Sequence, residues 1–171
     1  KPVRSAEFVK EQVLRNAIEL FASKGFANAS MQAIKRATGL HPGSIYCAFE
    51  NKQGLLLSAL EQYSKDRATE FQQLFAQAKS IRAGLQFYLD KTVIDLSQPE
   101  KHCACLSQKA MSEFSQINPV VEEAITKNMV AWQAGFERVL NDALTQGEVD
   151  NSRTPEQRAQ YLVMGISGLR I

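Results

Sequence analysis

Long apolar runs are missing from this 171-residue chain: no stretch of about 18 consecutive apolar residues occurs, so a membrane-spanning helix is not expected. The start of the chain lacks a signal-peptide pattern. Cysteine occurs only three times and without the regular spacing of a disulfide framework. These absences predict a cytoplasmic protein that does not bind membranes. The chain lacks an initiator Met and stops inside an apolar run, so we expect truncated ends, the C-terminus included.

Catalytic signatures are also missing. The sequence contains no Gly-rich phosphate loop, no nucleophile elbow and no HExxH motif, and it has only two histidines. One histidine and two cysteines occur together at 102–105, a spacing too tight for a four-ligand zinc site. The sequence therefore predicts neither an enzyme nor a metal or other cofactor.

Apolar content and charge are informative. Hydrophobic residues make up 44% of the chain, enough for a packed core. Residues 1–52 carry eight basic and four acidic side chains, a net +4, whereas the rest carries twelve and fourteen, a net −2. A basic N-terminal part favours contact with a phosphate backbone.

The stretch from 30 to 52, SMQAIKRATGLHPGSIYCAFENK, predicts two short helices joined by a tight turn. Ser30 is placed to cap the first helix, and Gly39 permits the positive φ with which that helix can end sharply. In the second helix, Ile45 and Phe49 are four residues apart and so face back to the first helix. The remaining residues of the second helix then face outward, as in a helix-turn-helix.

Residues at fixed spacing extend this pattern over about the first third of the chain: Phe21, Gly25, Phe26, Ser30, Ile34, Gly39, Leu40, Gly43, Ser44, Ile45, Tyr46, Phe49, Asn51, Lys52, Leu55 and Leu56. With them, this third resembles the DNA-binding domain of the TetR family of bacterial transcriptional regulators. The remainder resembles the family's helical ligand-binding domain more loosely. The resemblance implies an all-α fold in which a three-helix helix-turn-helix domain, residues 1–52, is joined by a long helix to a ligand-binding and dimerisation domain, residues 53–171.

The outward side of the second short helix aligns with the family's recognition segment. Hydroxyl groups there suit phosphate contacts, and small residues let the backbone approach the major groove. The resemblance places a phosphate-contacting lysine at the start of the long helix, whereas two basic residues late in the preceding helix could equally be solvated charges. The candidate DNA-binding residues are Ser30, Lys35, Arg36, His41, Pro42, Gly43, Ser44, Tyr46, Cys47 and Lys52.

Apolar residues at helical spacing and capping signals predict further helices along the whole chain. The first is expected from about Ser5 to Lys24, with Val9 and Val13 on its apolar stripe and a short basic arm before it. Later helices are expected from about 52 to 78, 80 to 96, 102 to 114, 118 to 147, and from 154 onward. No period-two strand pattern is present.

The second domain is rich in large apolar side chains, which could line a cavity for a small apolar effector. Ordinary core packing explains each of them singly, and the collective interpretation depends on the family resemblance. The candidate pocket residues are Phe71, Phe75, Phe87, Tyr88, Met111, Phe114, Met129, Trp132 and Phe136.

Cys103 and Cys105 lie two residues apart at the predicted start of a helix, where the helix dipole lowers a thiol pKa. Lys101, His102 and Lys109 are near in sequence. A redox or electrophile sensor is one interpretation of this pair. The other is that each cysteine packs as a small hydrophobe.

Together these observations predict a ligand-responsive regulator that represses transcription from a palindromic double-stranded DNA operator until a small-molecule effector releases it. One helix-turn-helix reads few base pairs, so a homodimer with reading helices about 34 Å apart is expected. Its interface is expected after Asn118, with residues 154–171 as the strongest candidate. The alternatives are a cysteine-based sensing regulator of the same fold and a helical protein-binding adaptor.

Overall fold

A computed structural model describes residues 2–97, 106–114 and 118–169, with side chains from residue 9 onward. These residues form eight α-helices and no strand, as the periodicity predicts. The helices are α1 (Pro2–Lys24), α2 (Met31–Thr38), α3 (Pro42–Phe49), α4 (Lys52–Gln77), α5 (Ile81–Ser97), α6 (Leu106–Phe114), α7 (Pro119–Thr145) and α8 (Pro155–Leu169). The all-α prediction is therefore confirmed. No described helix is both long and apolar enough to cross a membrane.

Side-chain caps start the later helices where the sequence places them. Asn118 Oδ1 accepts hydrogen bonds from the backbone N–H groups of Val120 and Val121, each at 3.2 Å, and so caps α7. Thr154 and Gln157 form a reciprocal capping box at α8, with bonds of 3.0 and 3.1 Å. Both helix starts were expected from the sequence, because capping chemistry is local.

The start of α1 differs from the prediction. The helix begins at Pro2, so a non-helical basic arm reaching Arg4 is wrong. Proline is tolerated in a first helical turn, since its missing N–H would be unpaired there, and no helix breaker separates it from Lys24.

The chain divides into two compact units. Unit 1 contains residues 1–65 and 103–128, and unit 2 contains residues 66–102 and 129–171. The helices α4 and α7 each continue from one unit into the other. The functional boundary between residues 52 and 53 stays a prediction.

The core of unit 1 joins the helix-turn-helix to the start of α4. Ile34 on α2, Ile45 on α3 and Leu55 on α4 are each fully buried. Phe21 on α1 is 1% exposed. The three N-terminal helices thus depend on α4 for a closed core, as a small domain with few apolar residues requires.

Aromatic packing dominates unit 2. Phe136 on α7 is fully buried and clusters with Leu140 and with Ala159 and Ile166 of α8. The start of α5 is fixed by Glu148, whose two carboxylate oxygens accept from the N–H groups of Ile81 and Arg82 at 3.0 and 2.9 Å. A distant carboxylate here satisfies N–H groups that a helix start leaves unpaired.

Candidate nucleic-acid interface

The helix α3 buries one side and exposes the other. Ile45 is fully buried and Phe49 is 6% exposed, which fixes the inner side. Tyr46 is 52% exposed. The other predicted readers of this segment are exposed as well: His41, Pro42, Gly43, Ser44 and Cys47. The geometry presents these residues together on one surface, and their contact with DNA stays a prediction.

A tight turn sets α3 against α2. Gly39 has φ of +73° and donates its N–H to the carbonyl of Lys35 at 2.8 Å, which ends α2. Thr38 is buried, and its hydroxyl donates to the Ile34 carbonyl at 2.7 Å while accepting from Leu40 N–H at 3.2 Å. These bonds satisfy the polar groups of the turn, so the turn holds a defined angle between the two helices.

The remaining candidates flank α3. Lys35 and Arg36 are exposed in the last turn of α2. Ser30 caps α2 by accepting from Ala33 N–H at 3.1 Å. A serine hydroxyl in that arrangement keeps its own proton, with which it can donate to a phosphate oxygen.

Lys52 has a more restricted environment than its predicted role suggests. Its ammonium group donates to the Phe26 carbonyl at 2.5 Å and lies 4.3 Å from the centroid of the Phe26 ring. Partial burial lowers the pKa of Lys52, and the nearby negative charge of Glu113 opposes that effect. A phosphate contact would therefore have to share the ammonium with the Phe26 carbonyl or replace it.

Glu113 on α6 is the contact that sequence reasoning missed. Its carboxylate accepts from the N–H groups of Phe26 and Ala27, each at 2.9 Å, in the turn between α1 and α2. The partners are separated by 87 and 86 residues in the chain. No local spacing rule connects residues so far apart, so the sequence contains no signal for this bond.

Five of the nine predicted pocket residues form one aromatic cluster in unit 2. Phe71 packs against Phe136 at 5.2 Å between ring centroids, against Phe75 at 4.6 Å and against Tyr88 at 5.7 Å. Trp132 lies 5.8 Å from Phe136 and donates its indole N–H to the Tyr88 hydroxyl at 3.0 Å. These edge-on and tilted contacts are those that aromatic rings favour.

The other four predicted pocket residues lie outside that cluster. Phe114 belongs to unit 1, where it contacts the Phe26 ring edge-on at 5.0 Å. Met111 also belongs to unit 1 and is 43% exposed. Phe87 is 63% exposed, and Met129 is half-buried. A ligand role for any of the nine stays a prediction.

The predicted sensor pair, Cys103 and Cys105, lies outside the described residues, as do Lys101 and His102. Cys47 on α3 is an exposed free thiol. The redox interpretation therefore stays a prediction.

One side of α8 has large apolar side chains on its surface. Tyr161 is 73%, Met164 68% and Leu169 62% exposed. Gly165 and Gly168 lie on the same helix, and a Cβ added at either would meet nothing within 4 Å. This surface falls within the predicted dimer interface, residues 154–171.

Comparison with family profiles gives two matches. Residues 13–59 match the profile described as bacterial regulatory proteins, tetR family. Residues 81–170 match the profile described as tetracyclin repressor-like, C-terminal domain. The second match alone covers more than half of the chain.

Two Bacillus subtilis strain 168 proteins, both described as uncharacterized HTH-type transcriptional regulators, are similar in sequence. YezE is 25% identical over 160 residues, which span 93% of this chain and 82% of YezE. YerO is 44% identical over 54 residues, which span 32% of this chain and 19% of YerO.

Two solved structures share the fold. Escherichia coli NemR in its reduced form superposes with a TM-score of 0.85 at 21% identity, covering 95% of this chain and 84% of that one. A cysteine mutant of the TetR-family regulator CifR, complexed with a 26-base-pair operator duplex, superposes at 0.77 with 23% identity, covering 94% and 84%.

Proposed function

The chain belongs to the TetR family of bacterial helix-turn-helix transcriptional regulators, and we propose that it is a homodimeric repressor which a small apolar effector releases from a palindromic operator. The proposal depends mainly on the surface of α3. Two buried residues hold the helix while every predicted reader on it stays exposed. A helix presented in this way is available to the major groove.

The exposed side of α8 supports a homodimer. Three large apolar side chains there are each more than three-fifths exposed, and two glycines between and beside them leave room for close helix approach. Covering such a surface with its own copy across a two-fold axis buries both sets of side chains at once. A two-fold pair of reading heads also explains why the operator should be a palindrome.

The aromatic cluster of unit 2 supports an apolar effector. It brings five aromatic rings together, and the Tyr88 hydroxyl and Trp132 indole N–H add one polar pair among them. A few polar groups in an apolar lining are typical of small-molecule sites. Effector binding would favour a conformation of the dimer whose reading heads no longer match successive major grooves.

The compartment and the absence of catalysis follow from the same proposal. A regulator that contacts operator DNA acts in the bacterial cytoplasm, where that DNA is found. The proposed chemistry is reversible binding without turnover of the effector.

Selection from a randomised duplex library tests the DNA-binding part of the proposal. We expect the protein to enrich a palindromic sequence with half-sites about one helical turn apart, and its affinity to fall steeply with salt. Tyr46→Ala should weaken binding to the enriched duplex, while Phe87→Ala, which removes a similarly exposed aromatic ring from α5, serves as the control. No enriched sequence, or equal binding to a scrambled duplex, would contradict the proposal.

Effector response is tested separately with the enriched duplex. A panel of uncharged aromatic compounds is titrated against the protein–DNA complex, and fluorescence anisotropy of labelled DNA reports release. Phe71→Ala should reduce the response to any active compound without changing affinity for DNA. Release that is unaffected by this change would place the effector elsewhere.

A further inference from the structure

We propose that Glu113 is a positioning residue for DNA binding: from α6 it holds the turn that precedes α2, and thereby the orientation of α2 and α3. This inference rests on the proposed DNA-binding function. Both carboxylate oxygens of Glu113 accept hydrogen bonds from backbone N–H groups at 2.9 Å, so we do not expect Glu113 to contact DNA itself. Bonds to an ionised acceptor are stronger than neutral ones, so this pair is well suited to fix a turn.

The same turn is held from its other side. The Phe26 carbonyl accepts from the Lys52 ammonium at the start of α4, and the Phe26 ring contacts both that ammonium and the Phe114 ring on α6. Thus one peptide segment is linked to α4 through its carbonyl and to α6 through its N–H groups. The placement of the turn is therefore determined by two helices, α4 and α6, that are distant from it in sequence.

The turn leads directly into α2. Ala29, which is fully buried, donates its N–H to the Phe26 carbonyl at 3.2 Å, and Ser30 then caps α2. Because only two residues separate Ala27 from Ser30, the cap of α2, a displaced turn should move the start of that helix. Ile34 on α2 and Ile45 on α3 are both fully buried, and a close-packed interior transmits displacements, so we expect α3 to move with α2.

In Glu113→Gln, the loss of negative charge and the loss of the hydrogen bonds to the turn should change DNA affinity in opposite directions. Removing a negative charge from a DNA-binding unit should tighten binding to any duplex, because repulsion of phosphates is reduced. Removing the clamp should weaken binding to the operator alone. The glutamine keeps the length of the side chain, but its NH₂ group is a donor and cannot accept the second backbone N–H.

The experiment compares Glu113→Gln with wild type and with Glu123→Gln, which removes an exposed carboxylate from α7 in the same unit. Fluorescence anisotropy measures affinity for the duplex enriched by selection and for a scrambled duplex of equal length, over a series of salt concentrations. We expect Glu113→Gln to lower the ratio of operator to scrambled affinity about tenfold, as expected for losing one charged hydrogen bond. The salt slope should stay unchanged because no phosphate contact is lost. Glu123→Gln should keep the wild-type ratio.

The outcomes separate positioning from a merely structural role. An equal loss of affinity for both duplexes would reflect a smaller folded fraction and would overturn the inference, as would an unchanged ratio. If Glu113→Gln does not fold, Gly25→Ala provides a second test, because its added Cβ should displace the Glu113 carboxylate while Glu113 itself is retained. The same fall in the ratio of operator to scrambled affinity is expected. A wild-type protein that enriches no sequence overturns the proposed function, whereas normal enrichment with an unchanged ratio overturns only the role of Glu113.

Discussion

Two glycines with nearly equal backbone geometry provide a direct measurement of the Glu113 clamp. Gly25 has φ of +80° and Gly39 has φ of +73°, so alanine is strained in both places. A Cβ at position 39 would meet nothing within 4 Å. A Cβ at position 25 would lie 2.6 Å from Glu113 Oε1, which is closer than real Cβ contacts allow.

The magnitudes follow from these contacts. Gly39→Ala should lower the free energy of unfolding by about 1 kcal/mol. This is the cost of a left-handed backbone for alanine, partly offset because alanine reduces the conformational entropy of the unfolded chain. Gly25→Ala adds the displacement of the Glu113 carboxylate from Phe26 and Ala27. Because Ala27 is exposed and water can replace part of the lost bonding, we expect roughly 1–2 kcal/mol more rather than the full value of two charged hydrogen bonds.

Urea unfolding followed by helical circular dichroism, at one protein concentration, checks these values. Glu113→Ala completes a double-mutant cycle, since in its absence Gly25→Ala should cost only as much as Gly39→Ala. The predicted coupling between positions 25 and 113 is therefore about 1–2 kcal/mol. The reasoning is refuted if Gly25→Ala costs the same with and without Glu113.

Three further predictions concern other parts of the chain. Ser30→Asp should keep the cap of α2, and hence stability, but weaken DNA binding by phosphate repulsion, whereas Ser30→Ala should cost about 1 kcal/mol in urea unfolding. Met164→Asp should shift the sedimentation coefficient towards the monomer, because it places a charge on the exposed side of α8. Hydrogen bonds from Ser152 lower the pKa of Asp150, and Arg158 adds to the effect, so ionised Asp150 stabilises the fold above the pKa of an unfolded aspartate. The loss of unfolding free energy in Asp150→Asn should therefore disappear as the pH falls through the lowered pKa of Asp150, as measured by urea unfolding over a pH series.

Local rules predicted most helix boundaries because their causes lie within a few residues. The caps at Ser30, Asn118 and Thr154 and the turn at Gly39 all appear where the side chains require them. The stripe on α1 was less reliable. Val13 is 7% exposed as expected, but Val9 is 57% exposed.

The sequence predicts the exposed side of α3, but it does not predict the hydrogen bonds that hold the turn before α2. The buried side of α3 could be predicted from the sequence, because Ile45 and Phe49 are four residues apart, a spacing that places both side chains on one side of a helix. The bond between Glu113 and Phe26 depends on how α6 folds back to the turn after α1. The same distance in sequence explains why the contact between Phe114 and Phe26 in unit 1 could not be predicted either.

The composition of α3 determines how the proposed regulator can gain specificity. Residues 42–49, PGSIYCAF, contain no charged side chain, so this helix cannot supply the counterion release that drives general affinity for DNA. That contribution must come from flanking groups such as Lys35 and Arg36, which are exposed one turn before Gly39. We expect neutral hydroxyls and a closely approaching backbone on α3 to read DNA shape and base edges. Base-edge contacts require close approach, so small displacements of α3 should affect operator choice more than overall affinity. A residue that positions the turn before α2, as proposed for Glu113, would then influence recognition without touching DNA.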